Sequence, residues 1–137
     1  MATLKLEIFT PDAKIFEGDV EMVELPGAEG EMGILPQHEA LVTELTAGEL
    51  RIIQKGKTEI LAIGEGFAEI TGDSVGVLTD GAVHEKDIDE QIAEAAVKRA
   101  EELLKSNTLV GEELEATQAS LARSLAQINV KRRRHST

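Results

Sequence analysis

The sequence predicts an α+β fold divided by segment: an N-terminal antiparallel β-sandwich over residues 1–86, then a C-terminal antiparallel two-helix hairpin over residues 87–137. Two observations predict it. Apolar residues alternate with period two in the first part and recur at helical spacing in the second. Eleven of the twelve glycines, all three prolines and all three phenylalanines precede residue 87, where tight turns and a bulky core are required. A chain of 137 residues is long enough for one such folded unit and an appendage.

The strands begin at Leu4, Leu6 and Ile8 and continue in β-rich runs at 20–25, 50–54, 58–63 and 75–78. Turn signals separate them at Pro11-Asp12, Ala47-Gly48, Lys55-Gly56-Lys57 and Gly72-Asp73-Ser74. The segment from Leu25 to His38, LPGAEGEMGILPQH, reads as a shaped loop. Gly27, Gly30 and Gly33 recur every third residue, free to take positive φ or to approach another backbone, while Pro26 and Pro36 fix φ towards both ends. Glu29 and Glu31 are its charges, and it has no basic residue, cysteine or hydroxyl, so a protein contact surface fits better than a phosphate cradle or nucleophile site. The G-x-x-G-x-x-G spacing is also wrong for a dinucleotide fingerprint.

From Asp87 alanine and glutamate dominate. Asp87 with Glu90 predicts a capping box, and Ile88, Ile92, Ala96, Ala100 and Leu103 form a stripe on a helix running to about Lys105. Ser106-Asn107-Thr108 and Gly111 make a short connection. Leu114, Gln118, Leu121, Leu125 and Ile128 then mark a second helix, antiparallel to the first. Eight alanines between residues 87 and 130 secure helicity but bury little area, so the hairpin is expected to be loosely docked and able to change partners.

The formal net charge of −12 argues against nonspecific binding to nucleic acid or anionic lipid. Lys131, Arg132, Arg133 and Arg134 oppose it, as a complement to a helix C-terminus, a contact for an acidic partner or, equally on composition, a frayed basic terminus. Without cysteine there are no disulfides or thiolate metal sites, and a reducing compartment is compatible. No run of about 20 apolar residues occurs, and the opening MATLKLEIFTPD is unlike a signal peptide, so a soluble, unexported protein is expected. His38 has no partner at metal spacing, His84 and His135 being far off in sequence. No catalytic residue, metal or cofactor is expected.

The loop LPGAEGEMGILPQH, the later GEGFAEI and VGVLTD strands, and the helical segments IDEQIAEAAVKRAEELL and QASLARSLAQINV together closely resemble the epsilon subunit family of bacterial F-type ATP synthases. The resemblance spans nearly the whole chain. It implies a noncatalytic rotor subunit of the central stalk, coupling ion flow through the c-ring to ATP synthesis. It also implies peripheral attachment, through the complex, to the cytoplasmic face of the bacterial plasma membrane. The sandwich would bind the gamma subunit through His38 and the c-ring through Gly30, Glu31 and Gly33. The helices would either fold on the sandwich or extend towards the alpha and beta subunits of the catalytic head and inhibit ATP hydrolysis, with Arg123 and Lys131 to Arg134 as contacts. Some family members bind ATP on the folded hairpin. Asp89 and Arg123 match that pattern here, but Ile92 and Gln127 stand where arginines are expected, so ATP binding should be weak or absent. The different reading that composition allows is a free-standing β-sandwich module for a peptide or ligand, with the helices as an oligomerisation arm.

Overall fold

The computed structural model describes residues 2–135, with side chains as far as Arg133. Its first part contains β1 (Leu4–Phe9), β2 (Lys14–Val20), β3 (Met22–Gly27), β4 (Gly30–Ile34), β5 (His38–Leu45), β6 (Gly48–Gln54), β7 (Lys57–Ile63), β8 (Gly66–Gly72), β9 (Ser74–Thr79) and β10 (Ala82–His84). The hydrogen-bonded order is β10-β7-β6-β3-β5-β8-β9-β1-β2, with β4 attached to β3. A single pairing, Gly27 opposite Leu45, joins β3 to β5 and forms the corner where the sheet doubles over into two layers. Among the described residues every pairing is antiparallel except one: β1 runs parallel to β9, with Leu6 beside Val75 and Ile8 beside Val77.

Alternation puts Leu4, Leu6 and Ile8 fully inside, against Leu50, Ile52, Leu61, Ile63, Ile70, Val75 and Val77 in one cluster. At about 1.5–3 kcal/mol per fully buried aliphatic side chain, this cluster dominates the stability of the sandwich. The expected two-part fold is present. After a 3₁₀ turn at Glu85–Asp87 come α1 (Glu90–Lys105) and α2 (Gly111–His135). Arg132, near the end of α2, bonds Glu90 and Glu94 at the start of α1, so the helices are antiparallel. α2 lies on the outer side of β6 and β7, held by a second, much smaller cluster of Ala62, Ile88, Ala126 and Val130. Only two of those four side chains are larger than alanine, so the cluster buries little apolar area.

Three local expectations are corrected. The segment from Leu25 to His38 is not a loop for most of its length but the β3–β4 hairpin, with Leu25 opposite Met32 and Pro26 opposite Glu31. Of its three glycines only Gly30 has positive φ, at 134°; Gly27 serves by close approach, since a Cβ there would lie 2.7 Å from the Gly30 carbonyl oxygen. The segment's turn before β5 takes its positive φ at Gln37 instead, whose N–H donates to Asp73 Oδ1 at 2.9 Å.

The cap of α1 is Asp89, not Asp87: its Oδ1 accepts from the N–H groups of Gln91 and Ile92 at 3.0 and 3.2 Å. The stripe moves with the cap. Ala93 and Ala100 are buried with Ala96, Val97 and Leu104 half-buried around them, whereas Ile92 and Leu103 are exposed. On α2, Gln118 and Leu125 face solvent, and Ser124, Ala126, Ile128 and Val130 are buried. Alternate buried positions arise because α2 is covered on two sides, by α1 and by the sandwich, so a single stripe cannot describe it.

Candidate functional site

The glycine hairpin sits at one end of the sandwich. Among the described residues β4 pairs only with β3, so it is an edge strand, and Gly30, Glu31 and Gly33 are all exposed along it. Such an edge offers unpaired backbone groups and one carboxylate to a partner. His38 opens β5 opposite Gly72, half-buried, with its Nδ1 2.7 Å from the Glu39 carbonyl oxygen.

The outer face of the β5-β8-β9-β1 layer carries a second surface. Phe67 on β8 lies opposite Leu78 on β9, and Leu78 in turn lies beside Phe9 on β1, forming an apolar row across three strands. Phe67 and Leu78 are 53% and 56% exposed, and Val42 on β5, one position along the same face, is 68% exposed. Lys14 closes the row, its Nζ 5.5 Å from the centre of the Phe9 ring. The phenylalanines were expected in the core, and that expectation is corrected: Phe67 is exposed, Phe9 and Phe16 are only half-buried, and Leu78 carried no expectation. The signal was available, because Val75 and Val77 fix the inward phase of β9 and leave Leu78 pointing outward, while Ala68 and Ile70 do the same for Phe67.

The basic residues of α2 are engaged within the chain. Arg123 Nη1 bonds Asp80 Oδ2 at 3.0 Å. Lys131 Nζ donates to the Glu85 carbonyl oxygen at 3.2 Å, and its carboxylate lies 3.9 Å away. Arg132 bridges Glu90 at 2.8 Å and Glu94 at 2.7 Å, and these bonds, Glu90 first, raise its proton affinity above the ordinary guanidinium value. Arg133 Nη1 is 3.6 Å from Glu49 Oε2, a carboxylate that Arg51 also bonds. Lys131 to Arg133 lie within the last turns of α2, where cations complement the helix dipole. The side chain of Arg134 lies outside the described residues.

Some candidates meet and others do not. Gly30 and Glu31 share with Arg132 and Arg133 a cleft of 880 Å³ between the glycine hairpin and α2. Asp89 and Arg123 do not converge, since one caps α1 and the other pairs with Asp80 beside β9, where Gln127 also lines the surface. Among the described residues no helix is long and apolar enough to cross a membrane.

Comparison with known proteins gives a consistent result. A family model described as the ATP synthase Delta/Epsilon chain beta-sandwich domain matches residues 3–85, and one described as the corresponding long alpha-helix domain matches residues 86–132. An ATP synthase epsilon chain of Halalkalibacterium halodurans is 37% identical over 130 residues, covering 95% of this chain and 98% of the relative. Another, of Ruminiclostridium cellulolyticum, is 41% identical over 134 residues, covering 98% and 99%. A chain in the OSCP/F1/c-ring structure of Euglena gracilis mitochondrial ATP synthase superposes with a TM-score of 0.73 at 26% identity, over 92% of this chain and 79% of that one. A chain in the central stalk/c-ring structure of the Tetrahymena thermophila enzyme gives 0.58 at 14% identity over 95% and 94%, a likeness of fold alone.

Proposed function

The chain belongs to the ATP synthase delta/epsilon-chain family and is a noncatalytic central-stalk subunit, and from that premise we propose that its sandwich docks gamma and the c-ring through two separate surfaces. The apolar row of Phe67, Leu78 and Phe9, flanked on β5 by Glu44 and with Val42 one step along the face, takes the gamma subunit, and His38 is at the margin of the same strand layer. Gly30, Glu31 and Gly33 on the exposed edge of β4 meet the polar loops of the c-ring. Residues 1–86 form the fixed coupling part and residues 87–137 the regulatory part. Attachment is peripheral, on the cytoplasmic face of a bacterial plasma membrane.

The observation that carries the gamma assignment is the exposed apolar row itself. A face of this kind on a soluble chain is a liability unless a partner covers it, and the opposite outer face is already covered by α2. Replacing Phe67 and Leu78 by threonine keeps strand propensity while removing the contact. At roughly 1.5–3 kcal/mol per side chain covered, copurification with gamma should fall by at least about tenfold. Because both residues are exposed, melting of the isolated chain should stay nearly unchanged. Full retention of gamma by the double variant would refute the assignment.

The hairpin acts, in this proposal, as a releasable inhibitor of ATP hydrolysis. On release, Arg123, Lys131, Arg132 and Arg133 exchange their carboxylate partners in this chain for acidic residues of the alpha and beta subunits, and Arg134 joins them. The pairs of Arg132 are solvent-exposed and cost little to break, while those of Arg123 and Lys131 are more sheltered and hold the docked position more firmly. Truncation after Lys86 should therefore raise ATP hydrolysis by the assembled complex. An unchanged rate would remove the inhibitory role and leave gamma docking untouched. Nucleotide plays at most a weak part, with Asp89 and Arg123 held apart as described.

A further inference from the structure

A cleft of 480 Å³ opens at the seam of the sandwich, between β2, the β6–β7 hairpin and the 3₁₀ turn. Its volume lies within the range of about 300–1,000 Å³ typical of small-molecule sites. In the register of β3 with β6, Met22 stands opposite Ile53 and Glu24 opposite Arg51, so the β6–β7 turn is at the end of the sheet remote from the glycine hairpin. The cleft therefore belongs to neither of the docking surfaces assigned above.

Its lining divides in two. Phe16, Ile52 and Ile60 make an apolar floor, Ile52 being part of the main core. Lys55, Lys57 and Lys86 stand around the rim and are exposed. Residues 1–86 hold only six basic side chains, and half of them gather here, on a chain of net charge −12. Among the described residues no ion pair engages any of the three ammonium groups, so their placement is not explained by pairing. Two carboxylates also line the cleft, and one of them, Glu85, has Lys131 3.9 Å away. His84 adds a buried Nδ1 with no hydrogen-bond partner, 3.7 Å from Glu59 Oε1. A buried polar atom without a partner is costly, and an acceptor entering the cleft would satisfy it.

We propose that this seam is a binding site for a small amphipathic anion, an apolar body on the Phe16, Ile52 and Ile60 floor with a single carboxylate received by the rim lysines and by His84 Nδ1–H. A phosphate alone would leave the floor uncovered, and a multiply charged head would face Glu59. An uncharged alcohol of the same length could accept one hydrogen bond but would bring no negative charge to the lysines.

Decanoate tests this on the full chain, by titration calorimetry and by following the His84 imidazole resonances below the micellar range. Saturable shifts are expected, with decanol binding at least roughly tenfold more weakly, inorganic phosphate giving no saturable shift, and Lys57→Glu with Lys86→Glu weakening decanoate by a similar factor. The melting temperature of that variant should be unchanged; if it does not fold, Lys57→Ala with Lys86→Ala gives the same comparison. Absence of saturable binding, equal binding of decanol, phosphate binding as tight as decanoate, or indifference to the lysine changes would each overturn the site.

Discussion

Val130→Asp is expected to release the helical hairpin and leave the sandwich folded. Val130 is 2% exposed, in the cluster with Ala62, Ile88 and Ala126, with Ala47, Ile60 and Val83 packed around it. A carboxylate there has no partner among those side chains, and burying it unpaired costs on the order of 3 kcal/mol or more. The cluster has too few large aliphatic groups to offset that, so α2 leaves the surface rather than accept the charge. Since each 1.4 kcal/mol is a factor of ten, trypsin cleavage after Arg123 should accelerate by roughly a hundredfold. Arg51, on β6, should stay protected. Leu125→Ser, on the exposed side of the same helix, should change cleavage no more than about threefold. Unaltered cleavage in Val130→Asp would mean that the small cluster does not hold the hairpin; simultaneous cleavage at Arg51 would mean that the sandwich cannot stand without it.

Gly66→Ala should be among the most damaging single changes in the sandwich. A Cβ at Gly66 would lie 2.8 Å from Leu78 C and Thr79 Cα and closer still to Leu78 O, all backbone atoms of the neighbouring strand β9. Backbone cannot swing aside as a side-chain tip can, so the β8–β9 ladder must part. Overpacking of this kind costs about 3 kcal/mol or more, a fall in melting temperature of at least about 10 °C for a domain of this size. Gly76→Ala provides the contrast, because nothing lies within 4 Å of its Cβ position. That variant should melt at or slightly above the parent. Equal melting of the two variants in a thermal denaturation series would contradict the backbone-clash account.

These cases show what was legible in the sequence. Period-two alternation located β1 because Leu4, Leu6 and Ile8 are buried on one face while their neighbours are less so. The end of α1 at Lys105 was legible from the polar break that follows it. The glycine segment was misread because local turn chemistry and sheet pairing competed, and pairing prevailed: Val23 and Glu24 are held between β6 on one side and β4 on the other. Helix phase failed for a different reason. Ile88 and Ile92 are the largest apolar residues near the start of α1, yet Ile88 precedes the cap and packs on the sandwich cluster. The contact with α2 runs instead through Ala93 and Ala100, since helices approach closely where side chains are short. Strand alternation marks core positions better than size does in the sandwich, and size marks them poorly in an alanine-rich hairpin.

For the candidate sites, the sequence located exposed positions on β4 and the charged end of α2, but partners within the fold were invisible. Asp80, Glu90, Glu94 and Glu49 are distant in sequence from the cations they meet. The apolar row was missed because Phe67 and Leu78 become neighbours only through strand register.

The parallel pairing of β1 with β9 also orders events in time. The first strand has one lateral neighbour, β2, close at hand, and must wait for residues 74–79 before the other exists. On the ribosome, therefore, the sandwich cannot close strand by strand as it emerges; it closes late, once nearly all of the first part is outside the exit tunnel. The helices follow in synthesis, so α2 meets a finished surface. A chain made in that order adds its helical part only after the sandwich is sealed.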